Sequence, residues 1–185
     1  LVDRGYEVVV EEGAGSGASI PDALYTAAGA TVVDAAGAWG ADVVITVDGP
    51  GVGDVERLAE GATLVARLAP DDTPDLVEAL RERGVTTLNL MSVPRISRAQ
   101  VMDALSSQAN VAGYKSVLVA ASESTRFFPM LTTAAGTVKP ATVLVLGVGV
   151  AGLQALATAK RLGGRTTGYD VRPEVADQVR SVGAQ

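Results

Sequence analysis

The 185 residues include 48% hydrophobic side chains but only 4% aromatic ones, together with 21 glycines, enough apolar matter for one substantial core or two small ones. Cysteine and histidine are both absent, which excludes a disulfide framework, a thiolate zinc site, a cysteine nucleophile and the side chain most used for proton transfer near neutral pH; no metal site is expected. The formal charge of −6 conceals an asymmetry: residues 1–92 hold 16 acids against 5 bases, and residues 93–185 hold 5 acids against 10 bases. The positive second half suits an anionic ligand or an acidic partner, and suits equally two ordinary solvated faces.

Abundant Ala, Val and Gly favour parallel strands packed closely on alanine-rich helices, so an α/β class is the first expectation. Strand patterns run from Glu7 to Val10, Thr31 to Val33, Val43 to Val47, Thr63 to Leu68 and Thr86 to Leu90. Helix patterns lie between them at Asp22 to Ala28, Asp54 to Ala59 and Asp75 to Arg83, with Pro21 and Pro74 where a first turn tolerates proline and Gly29 and Gly84 at stops. Segment 91–107, MSVPRISRAQVMDALSS, breaks the rhythm with clustered polar residues. Ser106 or Ser107 is then placed to cap a long helix from Gln108 to about Arg126, with Val111, Tyr114, Leu118 and Ala121 on one face. A Gly/Pro/Thr-rich connector, residues 132–141, follows, and a domain boundary is expected at about Met130. The uncharged run from Thr142 to Ala159 has the length of a membrane span, but its β-forming start, its three glycines and its helical remainder read as strand, turn and helix.

Thr142 to Leu146 leads directly into Gly147-Val148-Gly149-Val150-Ala151-Gly152 and a helix pattern reaching Leu162. That GxGxxG order, between a strand and a helix, gives each glycine its own duty: Gly147 for the tight turn, Gly149 for approach of a pyrophosphate, Gly152 for close helix packing. A second β-rich run, Arg165 to Tyr169, ends in Asp170, eighteen residues beyond Gly152, where a carboxylate accepts from ribose hydroxyls and repels a 2′-phosphate. The expectation is NAD(H) rather than NADP(H), tempered by Arg172 nearby.

The stretch from Pro94 to Val117, PRISRAQVMDALSSQANVAGYKSV, together with TAAGTVKPATVLVLGVGVAGLQALATAKRLG and YDVRPEVADQV, resembles the extramembranous N-terminal domain of proton-translocating nicotinamide nucleotide transhydrogenase alpha subunits. The likeness is close over residues 91–185 and looser over 1–90, where EVVVEEGAGSGASIPDALYTAAGA also resembles the family's opening. It implies two Rossmann-like domains with parallel sheets joined by a long helix, the second incomplete: residues 1–130 with a polar loop (94–107) and a linking helix (108–126), then residues 131–185. In that family NAD(H) lies in a cleft between two domains and a polar loop holds the nicotinamide. On that resemblance Arg95, Gln100 and Asp103 are the catalytic loop and Ser106 contacts the nicotinamide amide. Val148 to Val150 lie against the pyrophosphate, and Asp170, Val171 and Arg172 lie near the adenosine ribose. Tyr114 receives no role and is expected in the core.

The resemblance further implies hydride transfer from NADH to NADP+ held on a partner domain, coupled elsewhere to proton translocation. NADP(H)-binding and membrane-spanning components are the implied partners, with homodimerisation and a cytoplasmic location peripheral to the inner membrane. Neither nucleic acid nor direct membrane insertion is expected. Lys139-Pro140 replaces a proline pair common in the family. The chain starts at Leu1 without Met and reads as an excerpt lacking the first few tens of residues and most of the nucleotide domain, so that alone it is expected to be inactive.

Missing histidine helps to separate the alternatives. An amino-acid dehydrogenase moves a proton as well as a hydride and needs a positioned acid or base. Alanine dehydrogenase, a relative of the transhydrogenases, uses a histidine that the pattern LVARLAP replaces with Arg67, which stays charged. Nicotinamide-to-nicotinamide transfer moves only the hydride at that step. A non-catalytic nucleotide-binding module remains the third reading.

Overall fold

The computed structural model describes residues 1–185, which divide into two compact units, Leu1–Met102 and Asp103–Gln185. In the first unit, β1 (Val9–Glu11) pairs in parallel with β2 (Thr31–Val33), and α1 (Asp22–Ala27) lies between them in the chain. Proline at position 21 stands in extended backbone immediately before α1, and the Asp22 carboxylate accepts the Gly13 N–H at 3.0 Å. A short helix, α2 (Ala35–Trp39), has no counterpart in the sequence patterns because one turn is too brief to show a period; Asp34 starts it by accepting the Gly37 N–H at 2.8 Å.

β3 (Val43–Asp48), β4 (Thr63–Arg67) and β5 (Thr86–Asn89) then form a parallel sheet in that order, and α3 (Pro74–Glu82) crosses from β4 to β5. Leu64 and Ala66 alternate inward from β4 onto Leu76 and Leu80 of α3, with Val55 and Leu58, and this apolar contact holds the unit together. The helix expected at Asp54 to Ala59 is a 3-10 segment, Val52–Arg57, which ends as Leu58 becomes extended. Glycines 51 and 53 weaken α-helix there, and Asp54 is spent on accepting the Gly51 N–H. After β5, the Asn89 side chain accepts from the amides of Leu68 and Met91, turning the chain into the 3-10 segments Leu90–Ser92 and Ser97–Met102.

The second unit opens with α4 (Ala104–Glu123), four residues earlier than the serine caps suggested, because Asp103 is the cap and accepts the Ser106 N–H at 2.9 Å. Its buried face overlaps the expected one only in part: Leu118 and Ala121 are half-buried, and Ala121 packs on the cluster around Val117. Gly113 and Val117 are buried, whereas Val111 and Tyr114 remain 54% and 48% exposed. The cause is close helix approach: a Cβ added to Gly113 would lie 2.1 Å from the carbonyl oxygen of Ala151. That contact places the long helix in the same compact unit as the glycine-rich segment, so the division falls at Met102 rather than near Met130.

Within the connector, β6 (Leu131–Thr133) and β7 (Gly136–Val138) form an antiparallel hairpin. β8 (Thr142–Leu146) and β9 (Arg165–Tyr169) pair in parallel, with α5 (Val150–Arg161) between them in the chain and α6 (Ala176–Ser181) following β9. Val117, Ala141, Ala155 and Ala159 form one core cluster, and Val148, Leu156, Val175 and Val179 another. No helix is long and apolar enough to cross a membrane.

Candidate functional site

The turn from β8 to α5 is shaped by three glycines under three different constraints. Gly147 has φ of +86°, a left-handed conformation that a side chain would strain. A Cβ on Gly152 would lie 2.0 Å from the Gly147 carbonyl oxygen, so only hydrogen permits the first turn of α5 to close on the loop. Around Gly149, by contrast, an added Cβ meets nothing within 4 Å, which leaves open space at the loop's crest. Gly149 precedes α5 in extended backbone, and no side chain caps the helix. No side chain competes for its first N–H groups, and the positive end of the helix dipole lies at that open crest, an arrangement suited to an anion.

Asp170 follows β9 and reaches back to this loop, its side chain only 7% exposed. The Val148 N–H donates to Oδ2 at 2.7 Å, and the Arg172 N–H donates to Oδ1 at 2.9 Å. The Arg172 guanidinium adds two bonds, Nε to Oδ1 at 3.0 Å and Nη2 to Oδ2 at 3.1 Å. These donors, the Arg172 side chain foremost and then the two backbone amides, hold the Asp170 carboxyl far below the usual carboxylate range. The same pair pushes the Arg172 guanidinium up. Val148 thus turns its amide toward Asp170 and buries its side chain, so the donors left for an anion begin at Gly149. Val171 is 83% exposed beside them.

At the start of α4, Asp103 and Ser106 form a second polar cluster. Besides the capping bond, the Ser106 hydroxyl donates to Asp103 Oδ2 at 2.6 Å, and the Ser107 hydroxyl donates to the Asp103 carbonyl at 3.0 Å. With its proton committed to a buried carboxylate, the Ser106 oxygen is left to act as an acceptor. Arg95 and Gln100 lie in the first unit, on and beside the 3-10 segment Ser97–Met102, and both are exposed. Sequence reasoning found the residues of both clusters but missed two links, the Asp103–Ser106 pair and the Val148–Asp170 tie. The first is legible as a capping aspartate three residues before a serine; the second joins positions too far apart in sequence to be seen there.

A parallel strand, a glycine turn, an uncapped helix and a second strand ending in an acid define an α/β protein of the Rossmann-like class. The chain belongs to the alanine dehydrogenase/PNT family: the N-terminal domain of that family matches residues 1–112 and the C-terminal domain residues 116–185. It is 52% identical to an NAD(P) transhydrogenase alpha subunit of Rhodospirillum rubrum over 192 aligned positions, covering 100% of this chain and 50% of that protein. The crystal structure of transhydrogenase from Sinorhizobium meliloti superposes with a TM-score of 0.97 at 48% identity, covering 100% of this chain and 56% of that one. An L-alanine dehydrogenase structure matches with a TM-score of 0.85 at 26% identity, over 98% of this chain and 51% of that one. The chain thus spans about half the length of the relatives it matches.

Proposed function

We propose that this chain binds NAD(H) and that, in the full-length protein, it presents the reduced nicotinamide to an NADP+ held by a partner component. The observation that carries the reading is the Asp170 carboxylate tied at 2.7 Å to the glycine loop, beside an open crest and an uncapped helix start. A diphosphate fits the free amides from Gly149 onward, and Asp170 is placed to accept from a ribose diol while its charge opposes a 2′-phosphate. Ser106 offers an acceptor to a carboxamide N–H, and Asp103 fixes that hydroxyl's direction. Arg95 and Gln100 keep, as a proposal, the nicotinamide-facing roles that their loop's resemblance gives them.

Bound NADH supplies the hydride from its nicotinamide C4. What the protein must supply is orientation, bringing donor and acceptor carbons to roughly 3 to 3.5 Å. No proton is exchanged at that step, so a chain without histidine is not handicapped. Coupling to proton translocation, membrane-spanning and NADP(H)-binding partners, a homodimeric state and a cytoplasmic-side location all belong to the same proposal. They rest on the 52% identity to a transhydrogenase alpha subunit.

Alanine dehydrogenase activity is the second reading, favoured by the likeness in fold. Against it, Arg67 at the end of β4 forms an ion pair with Asp48 at the end of β3, a cation where that chemistry calls for a base. The deciding experiment mixes the full-length protein with its NADP(H)-binding partner and follows hydride transfer from NADH to an NADP+ analogue. Transfer supports the proposal. Turnover of L-alanine with NAD+ establishes the rival, and tight NADH binding with neither activity leaves a nucleotide-binding module.

A further inference from the structure

The Asp170 carboxylate has room for about four donors, two on each oxygen, and all four places are taken. A ribose that donates its hydroxyls to Asp170 therefore has to displace a donor already there. The two backbone donors are poor candidates for leaving. Val148 is buried at 1% exposure, and its amide is part of the turn; the Arg172 amide belongs to the bend after β9. The guanidinium of Arg172 is different. It is 52% exposed, reaches Asp170 from only two residues away on a flexible stem, and loses no backbone bond by moving.

Building on the reading of Asp170 as the ribose acceptor, we infer that Arg172 is a specificity gate that competes with the ribose for the Asp170 carboxylate and swings away when NAD(H) seats. The two backbone bonds remain and hold the carboxylate in place, so the seat keeps its geometry while its occupant changes. The same arrangement predicts rejection of NADP(H) even though the chain carries an arginine next to the ribose position. As long as Asp170 is charged, Arg172 is its partner and Asp170 repels the phosphate; once Asp170 is neutralised, the released guanidinium is free to grip a 2′-phosphate.

The test is an equilibrium titration of the full-length protein with NADH and with NADPH, read by nicotinamide fluorescence. Arg172→Ala and Arg172→Gln both remove the competitor, and NADH binding tightens roughly two- to five-fold, the range of a partly exposed ion pair, while NADPH stays excluded. Asp170→Asn weakens NADH binding and brings in NADPH, and the double variant Asp170→Asn/Arg172→Ala loses that NADPH binding again. Unchanged or weaker NADH binding in both Arg172 variants overturns the gate, as does NADPH binding by the double variant that equals that of Asp170→Asn. Failure of the wild-type protein to bind NADH overturns the site reading itself, so the two failures are distinct.

Discussion

Replacing Gly113 by alanine sets two opposed effects against each other, and the structure decides which wins. Alanine in the middle of α4 improves helix propensity by about 1 kcal/mol. Its methyl group, however, would sit 2.1 Å from the Ala151 carbonyl oxygen and within 3.0 Å of that residue's Cα. An acceptable C···O separation is about 3.3 Å, so α4 and α5 must part by about 1 Å. The obstacle is backbone in the first turn of α5, which no side-chain rotation relieves, and the cost belongs at the upper end of the overpacking range, about 3 kcal/mol. The net expectation is a destabilisation of about 2 kcal/mol. In urea, with a slope of about 2 kcal/mol per molar, the unfolding midpoint of the full-length protein falls by about 1 M. NADH affinity falls with it, because the displaced turn carries the anion-facing amides. A midpoint equal to or above that of the wild type would refute the reasoning, since propensity alone would then have prevailed.

Gly149→Ala separates binding from folding: its methyl group meets nothing in the protein, so thermal stability stays within about 0.5 kcal/mol, while NADH affinity drops about tenfold as the methyl occupies the pyrophosphate's approach. Equal affinity, measured by titration, would place the diphosphate elsewhere. Asp103→Ala removes the α4 cap at a cost of about 1 kcal/mol and frees the Ser106 hydroxyl, whereas Asp103→Asn keeps most of the cap; denaturation should rank the two variants in that order. The depressed pKa of Asp170 fixes a sign. Its contribution to stability is complete above the unfolded carboxylate value of about 4 and is lost as pH falls below it toward the depressed folded value, so Asp170→Asn flattens the acid limb of a stability–pH curve. An unchanged acid limb would contradict the Val148–Asp170–Arg172 network.

The parts legible in the sequence are those whose determinants are local. β8, the glycine turn, α5 and β9 follow from a strand pattern, three spaced glycines and an acid, and the structure places their boundaries within one or two residues of those expectations. The β3–β5 sheet and α3 were readable for the same reason, Pro74 marking a helix start. The orientation of α4 was not. Its apolar residues lie on several sides, so periodicity offered Val111 and Tyr114 as a core face; the true face is chosen by Gly113, a residue whose importance lies in the side chain it lacks. The short helix α2 escaped because a single turn shows no period, and the β6–β7 hairpin because its Gly-, Thr- and Pro-rich stretch read as a connector. At the site, residue identities were visible in the motifs. Saturation of Asp170 was not, because it depends on how the chain bends after β9.

Gly113 and Gly152 strip the side chains from two sides of one stretch, so the opening turn of α5 is clamped between the Ala151 contact with α4 and the carbonyl of Gly147. A group clamped in this way has little freedom left to surrender when a ligand arrives. Capture of a diphosphate there should proceed without a slow rearrangement of the loop, with an association rate set by diffusion and charge. In a calorimeter the balance should lean toward enthalpy, since the amides are already aimed before the guest appears.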